Sequence, residues 1–157
     1  MQLRPLATAA AVLALAVPLS SCGFDYATER EYDVTSAALS REGAVDILSA
    51  VVVSAAEGSG TFVASFSNND PADAQTFTGL AGGEGATVTA AEFEPVSIPA
   101  GGLVNLADPA AGIVLTGDFT AGDVVPLTID FGNGERISLN VPVVADDTGY
   151  WEGMDAS

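Results

Sequence analysis

The segment Val124–Val143, VVPLTIDFGNGERISLNVPV, constrains this chain more than any other stretch. Val125, Leu127, Ile129 and Phe131 fall on one face of a strand, with Pro126, Thr128 and Asp130 on the other. Gly132-Asn133-Gly134 then closes a turn, and Ile137, Leu139, Val141 and Val143 repeat the alternation in the second arm. Burial with a period of two in both arms fixes the register, because a slip of one residue would turn every apolar side chain to water. A chain built around such a hairpin must supply further strands to cover its apolar face.

Those strands are present. AVDILSAVVVS (44–54), TFVASFS (61–67), TFTGL (76–80), ATVTAAEF (86–93), VSI (96–98), LVNLA (103–107) and GIVLTG (112–117) are short runs punctuated by Gly, Asn, Asp and Pro. In TFVASFS, Phe62, Ala64 and Phe66 share the inner face. The sum is about eight or nine strands with turn signals roughly every ten residues and no convincing helix, which predicts an all-β, small antiparallel β-sandwich. Pro126 and Pro142 occupy outward positions and remove ladder donors, which predicts edge strands or bulges there.

The domain occupies residues 44–145. Before it, residues 23–43 (GFDYATEREYDVTSAALSREG) mix acids with small residues and read as a tether, with a helical turn or two at TSAALSRE. About 20 such residues span roughly 25 Å as a coil and roughly 70 Å when extended. After it, residues 146–157 form an acidic tail in which Tyr150 and Trp151 are the expected packing residues.

The start, MQLRPLATAAAVLALAVPLSSCG, has the layout of a secretory signal peptide. Arg4 gives a positive n-region, Leu6 to Leu19 an apolar h-region, and small residues precede Cys22. Leu19-Ser20-Ser21-Cys22 resembles the lipobox of bacterial lipoproteins. That resemblance implies a signal peptide at 1–21 and a Cys22 carrying a diacylglycerol and an acylated amino group, with palmitate-type chains. Cys22 is the sole cysteine; in an oxidising compartment an unpaired thiol is otherwise a reactive leftover. Two or three acyl chains bury enough methylenes, at about 0.8 kcal/mol each, to hold a protein on its membrane. The expected location is therefore the extracytoplasmic face of a cell membrane.

The charge excludes other partners. The chain carries 21 acidic residues against four basic ones and no histidine, for a net charge of −17. All the acids follow Cys22, with only Arg30, Arg41 and Arg136 to offset them. Nucleic acid binding, which needs cations to replace phosphate counterions, fails on that count, and anionic headgroups would repel the domain.

Chemistry is equally restricted. Without histidine or lysine there is no Ser-His-Asp, Cys-His or Ser-Lys arrangement, so Ser59 in EGSGT reads as a turn residue. Glu92 and Glu94 in AEFEP would project from one strand face roughly 7 Å apart, but read first as a solvated face. AGGEGA lacks the strand-to-helix setting of a phosphate loop. Asn68, Asn69, Asp70 and Asp73 are hard oxygen donors suited to calcium, yet equally ordinary turn residues. No enzyme is expected, and no cofactor.

From Ala44 to Val143 the chain resembles the periplasmic copper chaperone PCu(A)C family. IPAGGLVNL (98–106), GDVVPLTIDFGNGERISLNVPV (122–143) and ASFSNND (64–70) carry the resemblance, in family order. It implies a cupredoxin-like, Greek-key sandwich and a copper site of histidines and methionines at one end. Aligned on IPAGG, the family's internal methionine falls on Phe93 and its first histidine near Ala91. The later His-x-Met pair falls on Gly112 and Val114. None of these can ligate copper, and Met154 in the tail is the only methionine beyond Met1. The expectation is a lipid-anchored binding or interaction module that contacts an envelope protein. The alternatives are an accessory in copper trafficking and, more remotely, a carboxylate-dependent envelope hydrolase.

Overall fold

A computed structural model describes residues 37–147 and 149–157. Cys22, the signal peptide and most of the tether therefore lie outside the described residues. The described chain forms ten strands: β1 (Ala38–Ser40), β2 (Val45–Ala56), β3 (Ser59–Asn68), β4 (Gln75–Gly82), β5 (Val88–Ala90), β6 (Val96–Ile98), β7 (Leu103–Asn105), β8 (Ile113–Gly117), β9 (Val124–Phe131) and β10 (Arg136–Ala145), followed by a 3-10 turn at Gly149–Trp151.

Seven of the strands close into a ring in the order β2-β10-β9-β4-β5-β8-β3, with β3 returning to pair with β2. Strands β1, β7 and β6 are added to β2, β3 and β4 respectively. The all-β, sandwich-like expectation is met, with one refinement. The ring is closed by a parallel pairing of β10 with β2, Val143 opposite Val52 and Ala145 opposite Ser54, whereas its other pairings are antiparallel. Closure removes most free strand edges from an otherwise edge-rich fold.

The hairpin forms in the expected register, Ile129 opposite Ile137 and Leu127 opposite Leu139. Gly134 takes the left-handed conformation (φ 86°), and its N–H donates to Phe131 C=O at 3.0 Å. That is the geometry of a three-residue loop that needs glycine at its end. Arg136 and Asp130 face each other across the hairpin and form a two-point ion pair, Nε to Oδ1 at 2.6 Å and Nη2 to Oδ2 at 3.2 Å.

The interior is filled from both layers. Phe66, Leu127 and Ile129 are fully buried, as the alternation predicts. Phe66 lies 4.9 Å from Phe77 and 5.7 Å, edge-on, from Phe131. Such tilted and edge-on pairs are the preferred aromatic geometries. Leu139 departs from the expectation: it is only partly buried at the margin of this core.

Three further expectations are corrected. Residues 38–40, placed in the tether and read as part of a helical turn, are a strand. Ala38 and Ser40 pair with Ala50 and Ile47 of β2, where a ladder partner outweighs a weak local helix preference. Residues 86–93 are a strand only at Val88–Ala90. Pro126 and Pro142 do not mark edges, for β9 and β10 both lie inside the ring. The prolines sit where ladders end instead. Pro126 lies one residue beyond the Gly82–Leu127 pair that ends the β4 ladder, and Pro142 just before the parallel ladder to β2 begins at Val143. A missing donor is harmless at such a position.

Candidate functional site

Strand β5 ends at Ala90, paired with Leu115 of β8. The chain stays against β8 for one more residue, since Ala91 N–H donates to Val114 C=O at 2.8 Å. Phe93 then turns back onto the core and stacks on Phe77, centroids 4.9 Å apart at 27°. This inward turn is why residues 91–95 leave the sheet. Thr78, Leu80, Ala91, Glu92, Phe93 and Glu94 border a shallow groove of about 630 Å³ there. Glu92 and Glu94 are exposed on this coil rather than on a strand face.

The structure thus brings together the positions that the resemblance assigns to copper ligands. Ala91 and Val114 share a backbone hydrogen bond, and Gly112 lies just before β8 and Phe93 just beyond Ala91. Gly112 has φ 60° with open space where a Cβ would stand. Their side chains are methyl, benzyl, hydrogen and isopropyl, none with a lone pair for a metal. Cu(I) as cargo asks for thiolate, thioether or imidazole; this set of residues does not fit it. Met154 does come near. It borders a small cavity of about 150 Å³ that Gly112 also lines, but its packing is with the apolar cluster of Val51, Val53 and Val63. Among the described residues no group of three or more His, Cys, Asp or Glu is placed to hold a metal ion.

The oxygen-rich turn at 67–73 is a structural device. Asn68 is buried. Its Nδ2 donates to the carbonyls of Asp73 (2.8 Å) and Pro99 (3.1 Å), and its Oδ1 accepts the Asp70 N–H at 2.9 Å. Asp70 Oδ1 accepts the Ala72 and Asp73 N–H groups, and Asn69 Nδ2 donates to Asp46 Oδ1. These side chains hold the end of β3 against the IPAGG loop, so that ASFSNND and IPAGGLVNL meet at one corner. Ser59 opens β3 directly after the Glu57-Gly58 turn, and its carbonyl accepts the Ser54 hydroxyl at 2.7 Å.

A second region was only partly visible in the sequence. Strand β2 shifts register against β3 between Leu48 and Val51, where Ser49 adopts φ 53°. One extra residue is accommodated there as a bulge. Ala50 and Val52 then face the interior, while Val51 and Val53 join Ala37 and Val63 in a separate cluster on the outer wall. The tail covers that cluster. Trp151 and Met154 pack on it, whereas Tyr150 is 73% exposed and meets Trp151 edge-on at 4.8 Å. Of the two expected packing residues, Trp151 is the one in the cluster. Carboxylates fasten the tail. Asp155 accepts from Ala55 N–H (2.8 Å) and the Thr61 hydroxyl (2.9 Å), and Asp146 accepts from Met154 N–H at 2.8 Å. Burial pushes the Asp155 carboxyl up, but the amides of Ala55 and Ser157 and the hydroxyls of Ser157 and Thr61 together outweigh it and hold it below the ordinary aspartate range.

The closed ring with three added strands and the corner joining β3 to IPAGG define an all-β, closed barrel of sandwich-like form. Solved structures agree: the chain is similar to PCuAC domains. The copper-bound PCuAC domain from PmoF2 superposes with a TM-score of 0.54 at 16% identity, over 68% of this chain and 97% of that one. The apo PCuAC domain from PmoF1 gives 0.55 at 16%, over 68% and 98%. The apo PmoF2 PCuAC domain gives 0.53 at 15%, over 71% and 97%. At such identities the likeness is one of fold. No protein-family model matches the chain, and no curated protein matches it.

Proposed function

We propose that this protein is a lipid-anchored extracytoplasmic binding module on a PCuAC-type scaffold, non-catalytic and without copper at the positions its relatives use. One observation carries the reading. Ala91, Phe93, Gly112 and Val114 lie at the junction of the β5–β6 loop and β8, joined by the Ala91–Val114 hydrogen bond, and none offers a metal a ligand. The scaffold holds together without the site, so the fold is kept for what it presents rather than for what it coordinates. Its partner is an envelope protein met through the barrel's loops.

The anchor is tested at Cys22. Behind a signal peptide cut independently of Cys22, Cys22→Ser should release the protein from membranes, because the sequence after Cys22 offers no comparable apolar run. Retention of the variant in the membrane fraction at high salt would sink the lipoprotein reading.

Copper is tested by competition. Freed of any histidine tag, the protein should form no stoichiometric Cu(I) complex against a high-affinity chelator. Cu(II) held loosely by the acidic surface should leave as salt rises. The likeness to a copper-bound PCuAC domain favours a second reading, an accessory that docks within copper trafficking. A one-to-one Cu(I) complex surviving the competition would replace the first reading with that one. The hydrolase reading gains nothing from Glu92 and Glu94, which stand exposed beside an open groove.

A further inference from the structure

A cavity of about 300 Å³ lies on the outer wall of the barrel, bounded by Ser49 of the β2 bulge, Val63 and Ser65 of β3, Asn105 of β7, and Tyr150 and Trp151 of the tail. It stands apart from the residue 91–94 groove, with which it shares no lining residue. Four features distinguish it from an incidental gap. Its volume is about twice that of an apolar cavity that admits benzene and falls at the small end of ligand sites. Among the described residues none of those lining it is charged, in a chain with a net charge of −17. One wall is an edge-on aromatic pair, with Trp151 seated in the outer cluster and Tyr150 still 73% exposed. Another wall holds Ser49 at φ 53°, a conformation that β-carbon-bearing residues adopt at an energetic cost and that recurs at functional sites.

We propose that this cavity binds a small, uncharged aromatic molecule carrying a hydrogen-bonding group. The charge restriction follows from the walls. An anion would enter a strongly negative protein with no cation to meet it, and an ammonium would find no carboxylate in the lining to pair with. The ring restriction follows from Tyr150 and Trp151, whose faces and edges suit a third ring in a stacked or edge-on position. The hydrogen-bonding group follows from the polar corner. Asn105 Oδ1 is taken by the Ala107 N–H at 2.9 Å, so this side chain offers a ligand its NH₂. The Ser49 and Ser65 hydroxyls can both donate and accept. A carbonyl or hydroxyl on the ring matches that set.

This proposal rests on the reading of the domain as a binding module and names a ligand class for it; the membrane and copper experiments succeed or fail independently of it. Trp151 is the only tryptophan, so its emission reports the cavity directly. The full chain in detergent is titrated with benzamide and benzyl alcohol, and with benzoate and benzylammonium as charged counterparts. Amide shifts at Ser49, Ser65 and Asn105 are followed in parallel. The neutral probes should give a saturable change in Trp151 emission together with shifts at those three residues. The charged ones should give a much weaker response or none. Ser65→Leu and, separately, Ala107→Leu place apolar bulk on the cavity wall, and each should abolish the response while leaving the thermal transition cooperative. No saturable response to either neutral probe overturns the proposal. So does an equal response to benzoate, or an undiminished response in both filled variants.

Discussion

Strand β2 and the β9–β10 hairpin are both rich in valine, isoleucine and leucine, yet they are buried in opposite ways. The hairpin shows the interior one face and water the other, so that exposure alternates along β9. In β2 the run from Ala50 to Ser54 is buried residue after residue. Its inner face lies against the barrel core, and Val51 and Val53 on its outer face lie in the cluster where the tail packs. The difference teaches that an apolar alternation reports how many faces a strand buries, not how firmly it is held. The single-sided strand depends on the barrel alone. The double-sided strand also depends on a segment about a hundred residues further along the chain.

The largest effect should come from the interior. Leu127→Ala removes a fully buried side chain of β9 and should cost about 2–5 kcal/mol, a large share of a domain's stability. Leu139, opposite it on β10, is only partly buried, and Leu139→Ala should cost about half as much or less. Chemical denaturation of the two variants checks this. Equal losses would mean that the margin of the core near Leu139 is closed and that Leu139 is as fully packed as Leu127.

The next largest effect should come from the outer wall. Trp151→Ala strips part of the cover from Val51, Val53 and Val63, and should cost about 1–2 kcal/mol, since the ring is half-buried. Its signature should be local. Hydrogen exchange should quicken at amides of β2 and β3 near the tail, with the β9–β10 amides protected as before. Uniform acceleration throughout the barrel would show that the tail is part of one cooperative unit and not a separate cover.

The same contrast explains what could be read from the sequence. The hairpin was legible down to register because one-sided burial writes itself as a period of two and Gly132-Asn133-Gly134 marks the turn. Strand β2 was legible as a strand, but its two burial faces were not. The run AVVVS carries no phase, and a bulge centred on a serine has no compositional mark. Strand β1 was missed because three residues followed directly by Arg41 and Glu42 resemble a tether until a partner strand is in place. The prolines misled for a related reason: Pro126 and Pro142 do lack donors, but a central strand tolerates that just outside the end of a ladder. At the candidate site, the alignment of short glycine-rich motifs placed Ala91, Phe93, Gly112 and Val114, and the fold brings that neighbourhood together. The cavity beside Trp151 had no sequence signal beyond the aromatic pair itself, since its walls come from β2, β3, β7 and the tail.

The smallest effect sharpens the comparison by using pH to act on the tail first. Asp155 fastens it through the Ala55 amide and the Thr61 hydroxyl, and its pKa lies below the ordinary aspartate value. A carboxyl depressed in the folded state contributes stability that is present in full above its unfolded pKa and is lost as pH falls through the folded one. At neutral pH the fastening is therefore complete, and it weakens only in acid, below the usual aspartate range. Because the carboxylate is largely solvated, the contribution should be at most about 1 kcal/mol. Asp155→Asn mimics the protonated form. An amide keeps one acceptor oxygen but replaces the other with a donor, so it cannot accept from both Ala55 and Thr61 in the same way. At neutral pH the variant should show the red-shifted Trp151 emission that the parent protein reaches only in acid, and little further shift on acidification. Asp146, which accepts from Met154, remains in the variant and keeps its own hold on the tail. An unchanged acid transition in Asp155→Asn would show that Asp155 does not fasten the tail and would leave that role to the apolar cover of Trp151 and Met154.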